Sequence, residues 1–361
     1  MSSTSRNITS KSGEEDHHDA NMSFESIAHL LYSWRRAEIR PVLLNSVDTL
    51  LNQRIGPSQL KGPNDLATLC TVIRDKDCAM DADVYERMTG LLHALLKRPQ
   101  NRKQLEGQVL STVIESVKLA VTNHNVEASR WAILSMLRCL VIPDSRIHCI
   151  DSVSHLVNAM FVCAKNPTVQ AASASVIQLI GETSLGRDEL KKWNAIPALV
   201  SLLFHDSLNV VQRALSALQE LTCDLSCCQL VGDAGGVFPI IALLGMRKSP
   251  DVTRIAAGVV QNLSRDKETV GLVQAAGATE AVTPLLLDSN PSVQCSAVGA
   301  LLNLHMGDSE SRATLKRVIA LTIAEAAIAD IKFLNGDSDD EGDTSDVEPH
   351  GSSKLSNVVI S

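Results

Sequence analysis

Aromatic residues are scarce, at 3% of 361 residues. A surface that stacks nucleobases needs aromatic platforms, so the shortage argues against single-stranded nucleic-acid binding. A surplus of positive charge is missing as well. The formal net charge is -8, and residues 335–348 carry seven acids and no Lys or Arg. Without those seven, 33 Lys and Arg face 34 Asp and Glu, which leaves no broad basic field for DNA or RNA. No apolar run approaches the roughly 18 residues of a membrane-spanning helix. The opening "MSSTSRNITSKSGEEDHHDA" has no apolar centre of the kind a secretory signal requires.

Chemical signatures are also absent. The chain has no phosphate-binding loop, no GxGxxG after a strand, no HExxH and no nucleophile elbow. The expectation is a non-enzyme without a small-molecule substrate, cofactor or metal. Nine cysteines are scattered without a framework of pairs. With no secretion signal, they point to a reducing compartment, the cytoplasm or the nucleus. The cluster "CDLSCC" (Cys223, Cys227, Cys228) has neither a CxxC pair nor a nearby histidine partner, so zinc is not expected there. Packing of these thiols between helices is the expected role.

What the chain does have is helical periodicity and internal repetition. Residues 1–21 are polar and read as a disordered arm, and 335–361 as a disordered acidic tail. Between them, over 22–334, apolar residues recur at i, i+3, i+4 and i+7. The segments beginning at Asn194 ("NAIPALVSLL"), Gly235 ("GGVFPIIALL") and Gly277 ("GATEAVTPLL") align with a period of 41 to 42 residues. Each opens on Gly or Asn, the residues that most easily end a helix in the left-handed region. Each continues through a helix with an early proline, at Pro197, Pro239 and Pro284. A polar turn follows, with Pro250 or Pro291 in two of the three. Each then runs into a longer helix with alanine at 214, 256 and 297. An upstream copy, "NPTVQAASASVIQLIGE", places Ala172 in that alanine slot. A helical repeat of this period predicts a solenoid, in which each unit buries its flanks only by stacking on its neighbours.

"VTRIAAGVVQNLS" and "VQCSAVGALLNLH", with the glycine openings and the proline-bearing turns, resemble the armadillo repeat. HEAT repeats share the period, but the short helix implied before each glycine and the recurring asparagine favour armadillo. The match is best over about 150–310, and six or seven units fit the chain. The resemblance implies an all-α fold, a right-handed α-solenoid of armadillo-like three-helix repeats. It also implies a concave groove lined by the third helix of each unit. In that family an asparagine on this helix grips the main chain of an extended peptide, offering one donor and one acceptor. Asn262 and Asn303 match that position; Gln178 and Glu220 are the expected equivalents upstream. Glu220, when ionised, can only accept, so it is expected to break the ladder. Arg254 and Arg265 flank Asn262 and are expected to present charge to the same groove. The family's nuclear-import receptors place tryptophan one turn before the asparagine, where this chain has Gly258, Gly299, Ser216 and Ala174. That predicts a smoother, wider groove and argues against basic nuclear-localisation peptides.

The expected function is a protein-interaction scaffold or adaptor that takes a polypeptide partner in its groove. Two other roles fit the same fold: a structural subunit of a ciliary, axonemal or cytoskeletal assembly, and a chaperone cofactor that promotes nucleotide exchange. In the acidic tail, Ser338 and Ser345 each precede acids at +1 and +3, which makes them candidate phosphorylation sites.

Overall fold

A computed structural model describes residues 29–52, 63–103, 106–247 and 249–305, together with 313, 316–317, 319–320 and 324. The arm at 1–21, the tail at 335–361 with Ser338 and Ser345, and nearly all of the last expected helix lie outside the described residues. Within them there is no β-strand. The architecture is an all-helical stack of repeated units.

Seven long helices set the plan: α1 (Ile39–Asn52), α4 (Ala82–Leu95), α7 (Val126–Cys139), α9 (Pro167–Gly181), α12 (Leu208–Leu221), α15 (Pro250–Leu263) and α18 (Pro291–Leu304). Their starts are 41 to 44 residues apart. Each packs on the next, so the seven form one continuous layer. The shorter helices form the layers behind: α2 (Pro63–Ile73), α3 (Lys76–Met80), α5 (Pro99–Lys103), α6 (Glu106–Thr122) and α8 (Val153–Val162) in the first half. In the second half they are α10 (Ser184–Lys192), α11 (Ala195–Ser201), α13 (Leu225–Asp233), α14 (Val237–Met246), α16 (Val270–Ala275) and α17 (Ala278–Val282).

The punctuation works as its chemistry requires. Asn194, Gly235 and Gly277 have φ of 55°, 72° and 79°, the left-handed conformation that breaks the chain between the first and second helix of a unit. Pro167, Pro250 and Pro291 stand at the first turn of their long helices, where the missing N–H costs nothing. Asn166 and Asn290 cap two of these starts by accepting from backbone N–H groups.

The alanine slot is the seventh residue of the long helix. Ala214, Ala256 and Ala297 are fully buried there. In α9 the proline register places Ser173 in the slot and Ala172 one residue earlier, which corrects the alignment made from sequence. The run Ala171–Ala174 offers small residues at every step and so hides its register. The buried positions reveal it: Val169, Val176, Ile177 and Ile180 match Val293, Ala300, Leu301 and Leu304.

The joints between the early units are partly ionic. Arg40 makes a two-pronged contact with Asp81 at 2.7 and 2.8 Å and reaches Asp83 at 3.0 Å. Arg35 pairs with Asp75 and Asp77, Arg87 with Asp48, and Arg146 with Glu182. The basic stretch Ser33–Arg40 thus meets acids of the following unit. Trp34 is buried, whereas Trp193 stays 44% exposed at the end of α10.

Ser173 carries the cost of its substitution. Its hydroxyl is buried and has no hydrogen-bond partner. An unsatisfied buried hydroxyl costs about 1–3 kcal/mol. Ser173→Ala, the residue that fills this slot in three later units, should raise Tm by about 2–4 °C per kcal/mol recovered. A lower Tm in thermal circular dichroism would mean that the hydroxyl is satisfied in solution.

Candidate functional site

The outer half of the long-helix layer carries two adjacent polar columns. Asn262 and Asn303 are the thirteenth residues of α15 and α18, and Glu220 is the thirteenth of α12. Gln178, Gln219 and Gln261 are the twelfth residues of α9, α12 and α15. Gln178 therefore belongs to a glutamine column, and Leu179 occupies the asparagine register in α9. All five amides are half-buried.

The asparagines do not leave both halves of their amide free. Asn262 Nδ2 donates to the Gln219 carbonyl and to Thr222 Oγ1, each at 3.2 Å. Asn303 Nδ2 donates to the Gln261 carbonyl at 3.3 Å and to Ser264 Oγ at 3.2 Å. Those carbonyls sit in the last turn of a helix, where the helix itself supplies no N–H. The Thr222 and Ser264 hydroxyls donate to the same carbonyls at 3.1 and 2.8 Å. Each joint is thus a closed triangle of carbonyl, hydroxyl and amide across two units. The donor half of each amide is committed to this joint, and among the described residues no group donates to either Oδ1. The full donor-and-acceptor grip expected from the resemblance is reduced to an acceptor in this conformation. A helix-interior asparagine is kept because it caps the neighbouring helix, which outweighs its poor helix propensity.

The slot one turn before each asparagine is filled from next door. A Cβ added at Gly258 would collide with the Gln219 amide, and one at Gly299 with the Gln261 amide. The glutamine of one unit thus crosses the glycine of the following unit. The smooth, wide groove expected from small residues is instead a band of side-chain amides.

Glu220 departs from the pattern. The equivalent of Thr222 and Ser264 in α9 is Gly181, which has no hydroxyl. A carboxylate also cannot donate to the Gln178 carbonyl. Instead, Arg187 donates to the Gly181 carbonyl at 2.8 Å. Burial, and secondarily Glu182, push the Glu220 carboxyl above the usual carboxylate range, while Arg187 and Arg146 oppose this. Arg254 lies 4.0 Å from Asp251 one turn earlier. Arg265 is exposed just past α15, and its side chain meets no described partner.

Two features escaped the sequence reading. One is the glutamine column, foreshadowed only by the tetrads "QELT" (219–222) and "QNLS" (261–264), which carry glutamine and hydroxyl three residues apart. The other is a recess of about 380 Å³ where α7, α9 and α12 meet, lined by Leu134, Leu137, Ala172, Gln178 and Arg213 among others. The cysteine cluster behaves as packing: Cys227 and Cys228 are buried, with thiols pushed up to about 11 and about 12, mainly by burial. Cys223 is exposed.

A stack of three-helix units whose long helices form one polar-banded layer defines a helical repeat solenoid. Comparison with known proteins makes the class specific. The Armadillo/beta-catenin-like repeat family matches residues 185–223, which span α10, α11 and α12. An engineered protein of known crystal structure superposes with a TM-score of 0.59 at 21% identity, covering 68% of this chain and 98% of its own. Computationally designed armadillo repeat proteins for modular peptide recognition give 0.56 at 20% identity, covering 65% and 99%. A designed armadillo repeat protein in complex with the peptide (KR)4 gives 0.53 at 19% identity, covering 72% and 99%. No protein of curated function matches the sequence. The chain has the armadillo repeat fold.

Two outcomes follow from the joints. Asn262→Ala with Asn303→Ala removes two capping bridges worth about 1 kcal/mol each, and Tm should fall by about 4–8 °C in total. An unchanged melting curve would show that the bridges do not hold the stack. Folding raises the Glu220 carboxyl, so its charge opposes folding above the ordinary carboxylate range. That penalty fades as pH falls through this range. Glu220→Gln should therefore raise Tm near pH 7, and the gain should disappear near pH 4. A gain of equal size at both values would assign the effect to something other than this charge.

Proposed function

We propose that the chain is a non-catalytic interaction scaffold that receives a partner polypeptide along its long-helix layer. One observation carries this reading. Side-chain amides recur in register over consecutive units of that layer, half-buried, and among the described residues nothing donates to the side-chain carbonyls of Asn262 and Asn303. A polypeptide main chain supplies N–H donors at regular intervals, which is the complement such a column requires. The designed armadillo protein that holds (KR)4 is a precedent for a peptide on this fold. The present layer carries Arg213, Arg254 and Arg265, which suits acidic more than basic partners. Among the described residues no single helix is long and apolar enough to cross a membrane. We assign the scaffold to the cytoplasm, in keeping with nine free cysteines, of which seven are buried.

A bulky substitution on the layer tests the reading. Ser216→Trp adds bulk at half-buried Ser216 of α12, outside both amide triangles, whereas Phe238→Ala trims an exposed side chain of α14 in the layer behind. Proximity labelling in native cells should show partners lost with Ser216→Trp and kept with Phe238→Ala. The opposite pattern would move the binding surface off the long helices.

A further inference from the structure

Resting on that reading, we propose that the recess between α7, α9 and α12 is an anchor pocket. Its occupant is a partner segment that carries a bulky apolar residue beside a carboxylate. The pocket has a clear origin. Where α9 lines the recess it carries small side chains, Ala171, Ala172 and Ser175, which leave the space between the larger residues of α7 and α12 unfilled. Leu134 and Leu137 of α7 and Leu179 of α9 form apolar walls that are only partly buried. Three half-exposed leucines around a hollow leave apolar surface in contact with water, and filling it removes that surface. The volume of about 380 Å³ lies at the small end of the roughly 300–1,000 Å³ typical of ligand pockets. That is ample room for a large apolar side chain of a partner.

Charge selects the neighbour of that side chain. Among the described residues that line the recess, Arg213 is the one that is charged. It is exposed and forms no hydrogen bond or ion pair with any described residue. The nearby arginine of α7 is already engaged: Arg130 pairs with Glu127 and stacks 3.8 Å from the Trp131 ring centre. Among the described residues, Arg213 is therefore the cation at the rim with no ion-pair partner, and its planar fork suits a carboxylate. Gln178 and Asn209 complete the rim with amides that can bond the main chain on either side of the anchor. A larger cavity of about 540 Å³ beside α6 mixes Arg74, Arg102 and Lys118 with Glu115, Asp144 and Asp151. It selects no sign of charge.

A library of random peptides displayed on phage, panned against the full chain, tests the assignment. Enriched sequences should pair Leu, Ile, Phe or Trp with an adjacent Asp or Glu. Binding of the best synthetic peptide, read by fluorescence anisotropy, should weaken at least tenfold in Ser175→Trp, which fills the hollow. It should weaken by a similar factor in Arg213→Glu, and added salt should weaken the wild-type complex. Arg213 is exposed, so Arg213→Glu keeps the test decisive even where Ser175→Trp disturbs folding; melting curves of both variants check this. Enrichment without an acid, or binding that Arg213→Glu leaves unchanged, overturns the pocket. A selected peptide that is lost with Ser216→Trp but indifferent to Arg213→Glu and Ser175→Trp overturns the pocket and leaves the scaffold reading standing. Failure to enrich any peptide sensitive to a long-helix substitution removes both. Should only a peptide of residues 335–361 bind the recess, the occupant is this chain's own tail, and an external anchor is overturned.

Discussion

The structure depends on the contact between one long helix and the next. No unit has enough apolar surface of its own to close a core, so each helix is buried by its neighbours on either side. That contact demands a small residue where the helices come nearest, which is the role of Ala214, Ala256 and Ala297. It also leaves the last turn of each helix with carbonyls that need donors. The triangles built on Asn262 and Asn303 answer that need with the side chain of the following unit. Shape and hydrogen bonding are thus settled by one repeated interface, and the exposed band of amides is a by-product of that interface.

The repeat was legible because its punctuation is chemical. A left-handed residue at 194, 235 and 277 and a proline at 167, 250 and 291 can serve few purposes, and their spacing gave the unit length directly. Register inside a unit was legible only where large and small residues alternate. In α9 the run of alanine and serine from 171 to 174 removed that contrast. There the sequence allows two registers one residue apart, and the structure puts Gln178 in the glutamine column rather than the asparagine one.

The site was less legible than the fold because a sequence shows which groups exist and not which are already satisfied. The resemblance assigned the asparagine amide to a ligand, but a carbonyl 43 residues earlier takes its donor. Glycine at 258 and 299 suggested open space. The space is occupied, because a glutamine of the preceding unit needs the missing Cβ to lie across the helix. The recess was invisible for a related reason: three helices create it together, and no segment of the chain contains it.

The chemistry of the joints changes along the stack. The early units add exposed and half-exposed ion pairs to their apolar contact: Arg35, Arg40 and Arg87 with their aspartates, then Arg146 with Glu182. After Glu220 the inner seam passes to neutral amides, with Arg247 and Asp288 as an ionic contact on the turns. Dissolved electrolyte attenuates the first kind of fastening and hardly touches the second. One end of this molecule therefore carries polar joints that ionic conditions weaken. The other keeps most of its cross-unit polar contacts in neutral amides, so sensitivity to ionic conditions is distributed unevenly along the stack by the identity of a few side chains.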